Sequence, residues 1–285
     1  MQGKFLIHNN NFIAKENFKI ETENRAFQYG DSVFETMFAS CDIIHFFEDH
    51  ISRILKAAEA VKIKVPQMLL QNSDEFYQNI LRVLRKNKFF GGTRIRLTIY
   101  RKEGGYYSPT SKESEFIVET SKLENTVYEL NKVGLRLCVF NDLKKNINIF
   151  SPYKTGNALL NVLAGIYVNE NNFDDCILFN QQDFICETIS SNLFYVQEKV
   201  IFTPALSEGC VDGIMRKAVI EIAKKMNYQI NEVTSVQLSD LLNADELFLT
   251  NSITGIRWVI ALNDRRYFNF LSQIFIKKLN ELITN

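Results

Sequence analysis

Apolar and polar positions along this chain switch between a strand period and a helix period, and the switches fall into two halves. Phe5-Leu6-Ile7 and Phe12-Ile13 flank Asn9-Asn10-Asn11, two short apolar runs about a turn signal, which predicts a β-hairpin. Residues 43–47 (IIHFF) predict a further short strand. From Glu48 to about Val61 the residues Ile51, Ile54, Leu55, Ala58 and Val61 recur at helical spacing, and Phe76, Ile80, Leu81 and Leu84 repeat that pattern over 74–87. Residues 93–100 alternate as a half-buried strand does, and Phe116-Ile117-Val118 predicts another strand. The second half opens on a strand at 135–140, then a helix at roughly 157–170 and a strand at 175–179. A strand pair (193–196 and 200–202), a helix from Gly213 to about Met226, an apolar strand at 246–249 and a C-terminal helix at about 267–283 complete it.

Strands and helices mix in both halves, so the expected class is α+β (α/β mixed) in two domains. The polar stretch 119–131 is read as a linker between an N-terminal α/β domain, 1–118, and a C-terminal α/β domain, 132–285, which would bind a cofactor. The 285 residues, 46% of them hydrophobic, suffice for one large domain or two ordinary ones. With 33 basic and 33 acidic residues there is no basic excess, which argues against a nucleic-acid partner. No apolar run approaches the roughly 20 residues that span a bilayer. The opening MQGKFLIHNN lacks the charged and apolar regions of a signal peptide, so the expectation is a cytoplasmic protein with reduced thiols. Its five cysteines and three histidines show no metal-ligand spacing, which argues against a metal site.

Four segments are polar where a core element should be apolar. Ser151–Asn157 places Lys154 in a Pro/Gly-punctuated loop before a helix; desolvated there, its amine would be a usable nucleophile or base. Cys186–Asn192 puts Glu187 and several hydroxyls between two strands. Gly209–Arg216 leads a glycine-bearing loop into a helix, whose first N–H groups suit a phosphate. Thr250-Asn251-Ser252 follows an apolar strand. Taken singly, each has an ordinary explanation as a solvated lysine, a polar turn, a plain helix start or an N-cap.

Their order is more telling. Arg25–Thr36 (RAFQYGDSVFET), His50-Ile51-Ser52-Arg53, Lys154 with Asn157 and Leu159, Glu187–Phe194 (ETISSNLF), Thr203–Leu206 with Gly213-Ile214-Met215-Arg216, and Glu246–Ser252 (ELFLTNS) fall in sequence from Arg25 to Ser252. This set resembles the class IV aminotransferases, the fold type IV pyridoxal-5'-phosphate enzymes that include the D-amino-acid aminotransferases. The resemblance implies two α/β domains with the cofactor between them. It implies that Lys154 is the catalytic residue, forming a Schiff base with pyridoxal 5'-phosphate and moving the substrate's Cα proton. Glu187 would keep the pyridine nitrogen protonated. Arg53, Ile214, Met215 and Ser252, with Thr250 and Asn251, would hold the phosphate, while Tyr29, Phe34, Glu35, Arg101, Tyr106 and Tyr107 would lie toward a small-molecule amino substrate. Family members pair as homodimers, which is the expectation here.

The resemblance leans to one branch. Branched-chain aminotransferases carry a longer lysine motif with a tyrosine that Lys154-x-x-Asn157-x-Leu159 lacks. D-amino-acid aminotransferases carry a second arginine that the loop after Arg101 lacks. Gly104-Gly105-Tyr106-Tyr107-Ser108 is most similar to 4-amino-4-deoxychorismate lyases, which form 4-aminobenzoate and pyruvate. Two positions depart from the pattern: Phe38 stands where many relatives have an arginine, and Glu35 where lyases often have threonine. An aminotransferase of the D-amino-acid or branched-chain type is the alternative. A non-catalytic cofactor-binding relative is the alternative of another kind, disfavoured because lysine, glutamate and phosphate cup are all present.

Overall fold

Asn9 and Asn10 take φ of 48° and 69°, the left-handed pair that a two-residue hairpin turn requires. They join β1 (Phe5–His8) to β2 (Asn11–Ala14) in antiparallel register, His8 opposite Asn11. In the computed structural model, which describes residues 1–284, the hairpin belongs to the first of two units. That unit comprises Met1–Val127 and Tyr153–Asn157. It continues through α1 (Arg25–Tyr29), β3 (Ser32–Ser40), β4 (Ile43–Ile44), α2 (Phe47–Ala60), α3 (Gln67–Gln71), α4 (Ser73–Lys86), β5 (Thr93–Arg101) and β6 (Ser114–Lys122). The strands form one sheet in the order β2-β1-β6-β5-β3-β4.

Period-two patterning assigns the faces of this sheet. Ile95, Leu97 and Ile99 of β5 are fully buried with Val33 and Met37 of β3 against Ile54, Ala58, Phe76 and Ile80 of the helices. Each such aliphatic or aromatic side chain contributes roughly 1.5–3 kcal/mol by leaving water. The strand expected at 43–47 is shorter, because Phe46 turns left-handed (φ 57°) and the helix starts at Phe47. Residues 119–122, expected in the linker, continue β6 in register with β5 as far as Thr93 opposite Lys122.

The lysine segment joins this unit rather than the second. The N–H of Phe34 donates to the Lys154 carbonyl at 2.9 Å, and that of Gly156 to the Ser32 carbonyl at 2.9 Å, around a Val33–Thr155 bridge. These bonds occupy the edge of β3 that β4 leaves open. A Cβ at Gly156 would stand 2.8 Å from the Gly30 carbonyl oxygen, so only glycine permits the approach.

The second unit, Tyr128–Pro152 and Ala158 onward, holds β7 (Leu135–Lys145), α5 (Leu159–Glu170), β8 (Asp175–Asn180), β9 (Ile185–Thr188), β10 (Asn192–Gln197) and β11 (Val200–Pro204). There follow α6 (Ile214–Lys225), β12 (Ile230–Val233), α7 (Leu238–Asn243), β13 (Glu246–Asn251), β14 (Gly255–Leu262), β15 (Arg265–Arg266) and α8 (Phe270–Thr284). Its strands run β12-β11-β10-β13-β14-β7-β8-β9, with β15 on β14. Parallel pairs (β7 with β8 and β14, β11 with β12) mix with antiparallel ones. Phe194 and Phe248, opposite one another on β10 and β13, stack at 5.0 Å, and Phe275 of α8 meets Phe248 edge-on. Among the described residues no helix is long and apolar enough to cross a membrane.

Candidate active site

The amine of Lys154 lies 5.1 Å from the centre of the Phe34 ring. Part of the residue stays accessible, but burial of the amine, reinforced by Arg53, Arg96 and Arg94, pulls its pKa down to about 8 despite the nearby Glu35 carboxylate. Roughly a tenth of this lysine is therefore uncharged at pH 7, far more than of an ordinary lysine, and the neutral form is the one a nucleophile or base uses. Capture of added pyridoxal phosphate by the cofactor-free protein should accordingly speed up as pH rises through about 8, since only the neutral amine attacks. Growth of the cofactor's visible band after mixing, followed at a series of pH values, checks this. A flat profile across that interval would contradict it.

Glu35 and Phe34 are neighbours on β3, so their side chains leave opposite faces. Glu35 goes to the helix side, where α2 supplies His50 and Arg53 one turn apart. Arg53 donates from Nε to Oε1 at 2.6 Å and from Nη2 to Oε2 at 2.7 Å, and His50 Nδ1 donates to Oε2 at 2.7 Å. Burial alone would raise the Glu35 pKa, but Arg53 and then His50 hold it down at about 2. Burial keeps His50 below its ordinary value. Glu35 is thus committed to α2 and turned away from a substrate, contrary to the expectation from its motif. A phosphate contact by Arg53 would have to share the guanidinium with this pair.

Arg101 is likewise diverted. Its Nε donates to Asp31 Oδ2 at 2.8 Å, Nη1 to the Lys62 carbonyl and Nη2 to the Val61 carbonyl. Three of the five guanidinium N–H groups are thereby engaged in holding the protein's own chain. The same Asp31 oxygen accepts from Arg25 Nε at 2.8 Å. Arg25 Nη1 in turn reaches the carbonyls of Gly104, Gly105 and Tyr106 at 3.2, 2.9 and 2.7 Å. The two glycines, at φ 115° and 72°, let the chain curl around it. Arg25 and Asp31 thus fix the loop that carries Tyr106 and Tyr107, both exposed, and Tyr29 meets Tyr107 at 5.6 Å.

In the second unit Glu187 is buried on β9, the strand that replaces the polar turn expected between 179 and 193. One oxygen pairs with Lys145, at the end of β7, and the other accepts the Val211 N–H at 2.8 Å. A carboxylate offers about four lone-pair sites, so acceptor capacity remains for a pyridinium N–H. Burial opposes the charge of Lys145, but the Glu187 carboxylate outweighs it and raises the Lys145 pKa, which keeps it charged. The hydroxyl-rich motif after Glu187 builds a tight turn. Asp175 accepts from the Thr188 hydroxyl and the Ile189 N–H, both at 3.1 Å, and the Thr188 N–H donates to the Ser191 carbonyl.

Whether these residues suit a phosphate-bearing cofactor can be judged at α6 and β13. Gly213 precedes α6 and no side chain caps the helix, so the N–H groups of Ile214 and Met215 point out of its first turn. A Cβ at Gly213 would collide with Asn192 Oδ1. Asn192 pairs across the ladder with Thr250, whose hydroxyl is buried without a hydrogen-bond partner. An orphaned hydroxyl next to an uncapped helix start fits a phosphate. The Asn251 side chain is spent on its own turn, accepting from Ile253 N–H, Thr254 N–H and the Thr254 hydroxyl and donating to Ser191. The Ser252 carbonyl accepts from Tyr128 at 3.0 Å. Arg216 clamps β11 to β12 through the Pro204 carbonyl and Glu232.

Sequence reading gave Arg25 and Asp31 no individual role although both lie in the Arg25–Thr36 motif, and it missed Lys145, and also Arg94 and Arg96, whose only signal was an arginine at alternate positions of a strand.

A Vibrio harveyi aminodeoxychorismate lyase is 28% identical over 247 residues, covering 84% of this chain and 86% of its own length. A Methanocaldococcus jannaschii protein, provisionally named a branched-chain-amino-acid aminotransferase, is 27% identical over 274 residues, covering 96% of this chain and 93% of its own. The branched-chain aminotransferase of the thermophilic archaeon Thermoproteus uzoniensis, crystallised with norvaline, shares the fold with a TM-score of 0.87 at 21% identity, over 97% of this chain and 93% of that one. The amino-transferase class IV family model matches residues 32–262, most of the chain. With that match, this chain belongs to the class IV aminotransferase family and is a pyridoxal-phosphate-dependent enzyme of fold type IV.

Proposed function

We propose that the enzyme is a 4-amino-4-deoxychorismate lyase. The observation that carries this reading is the Gly104–Ser108 loop, of the lyase pattern, held in a defined shape by Arg25. Bound pyridoxal phosphate supplies a carbonyl for the substrate amine and a ring that draws electrons from the amine-bearing carbon. Lys154 holds the cofactor and, as a neutral amine, takes the proton from that carbon. Glu187, kept in place by Lys145 and the Val211 N–H, holds a proton at the ring nitrogen. Arg53, the Ile214 and Met215 N–H groups, Thr250 and Ser252 bind the phosphate. Phe34 covers one side of the lysine, and Tyr29, Tyr106 and Tyr107 face the substrate. Loss of the proton allows the C–O bond to enolpyruvate to break, and the ring becomes 4-aminobenzoate.

Glu35 supports the second reading, an aminotransferase, because lyases often carry threonine at its position. Titration of the purified enzyme with L-glutamate, L-isoleucine and D-alanine separates the two. An aminotransferase loses its visible cofactor band to the amino acid it uses. A lyase keeps the band with all three and releases pyruvate from aminodeoxychorismate. A homodimer in the cytoplasm belongs to the same proposal. Leu159, Val162, Leu163 and Ile166 of α5 lie exposed, an apolar face that a second copy would cover. Val162→Glu with Ile166→Glu should convert a dimer to a monomer in light scattering, and an unchanged mass would count against this surface.

A further inference from the structure

Tyr128 opens the second unit, inside the polar stretch 119–131 that the sequence marks as a linker. It is nonetheless buried, with 3% of the residue exposed. Backbone, ring and hydroxyl are each held. The Tyr128 N–H donates to Asn280 Oδ1 at 3.0 Å, and Asn280 Nδ2 donates to the Tyr128 carbonyl at 2.8 Å, so α8 clasps the backbone from both sides. The ring lies against Gly255, where a Cβ would stand 2.7 Å from the ring's Cγ. The hydroxyl donates to the Ser252 carbonyl at 3.0 Å. Burial pushes the phenol's pKa well up, so the hydroxyl stays protonated and remains a donor. A linker needs only length and solubility, and neither accounts for a buried tyrosine whose every polar atom is bonded.

The hydroxyl's bond falls on the turn that follows β13. Asn251 Oδ1 accepts the N–H of Ile253 at 3.0 Å, and Tyr128 donates to the carbonyl of the same peptide unit. That peptide is fixed at both ends, which sets the orientation of Ser252. Two residues earlier, Thr250 keeps its buried hydroxyl without a partner. Asn251 thus holds the turn from within and Tyr128 braces it from outside. Without the phenol oxygen the Ser252 carbonyl loses its donor, a cost that displacement of the turn would relieve. Groups that touch a ligand keep their geometry only where a further layer of contacts fixes them.

We propose that Tyr128 is a positioning residue for the cofactor phosphate, holding the Thr250–Ser252 turn in the shape that binds it. This deepens the proposed function and rests on its assignment of that turn to the phosphate.

The test titrates the cofactor-free enzyme with pyridoxal phosphate and with pyridoxal, which lacks the phosphate, and reads the visible band that each forms. Tyr128→Phe removes one oxygen and keeps the ring on Gly255. It should raise the Kd of pyridoxal phosphate about tenfold, as stranding a backbone carbonyl does, and leave that of pyridoxal within about twofold. Thr250→Val, which alters a group assigned to the phosphate itself, is the reference. The melting temperature of each variant establishes that it is folded. A selective loss of pyridoxal phosphate in both variants supports the brace. The same loss in Tyr128→Phe alone also supports it and removes Thr250 from the phosphate. A selective loss in Thr250→Val alone overturns the brace and leaves the phosphate site standing. Equal loss of both compounds in Tyr128→Phe, or no loss in either variant, overturns the brace as well. A wild type that binds the two compounds equally overturns the phosphate site and the brace together.

Discussion

Lys154→Ala should lower turnover by at least about 10³-fold, since one side chain supplies both the nucleophile and the proton-transfer group, and the latter alone contributes roughly 10²–10⁴. The loss should fall on kcat rather than on protein yield. The substitution removes an amine whose burial disfavours its charge, and the backbone bonds of Lys154 and Gly156 to β3 do not depend on that side chain. Phosphate binding should persist, because Ile214, Met215 and Thr250 are unaffected. The variant should therefore still take up cofactor reversibly while losing the visible band of the covalent form. A variant that kept its turnover would show that another group moves the proton.

Glu35→Ala should cost roughly 3–5 kcal/mol, as truncation of one member of a buried ion pair does. Arg53 and His50 would lose their common acceptor in a position where both side chains are buried. A fall of roughly 10 °C in melting temperature follows for a domain of this size. The pH dependence gives an independent reading. The Glu35 pKa is depressed to about 2, below the ordinary value near 4.5. Its contribution to stability is thus complete above about pH 4.5 and is lost as pH falls toward 2. Glu35→Gln should flatten that part of the wild-type profile. Equal stability of the alanine variant, or an unchanged acid limb in the glutamine variant, would show that the ion pair contributes little.

Glu35 also shows where sequence reading succeeds and stops. The motif that resembles the family placed Phe34 and Glu35 together near the substrate. The strand period separates them, since Val33, Glu35 and Met37 share the core face while Phe34 shares its face with Arg96. Alternation was visible in the sequence, but the identity of the strand's inner face required the helices that cover it. The partners of Arg101 were hidden for a related reason. Its three nitrogens are satisfied by Asp31 and by carbonyls of Val61 and Lys62, about forty residues earlier in the chain, partners that no local pattern reveals. Lys145 was invisible because it lies on β7 and meets Glu187 of β9 across β8, which follows β7 only after a long crossover. By contrast the segments around Lys154, Glu187, Gly213 and Thr250 stand out in the sequence, because their glycines and polar residues interrupt apolar elements; that they bind the cofactor is the proposal. The hairpin at Asn9-Asn10 and the helices α2 and α4 were legible from turn residues and period alone, whereas β9 was hidden by its polar ending.

That Lys154 carries the cofactor is tested most directly by reducing the loaded enzyme with borohydride, then digesting it and weighing the peptides by mass spectrometry, because reduction makes the lysine–cofactor bond permanent. One phosphopyridoxyl group per chain is expected, on the peptide containing Lys154. Labelling of a different lysine, Lys145 included, or no label on any peptide, would contradict it.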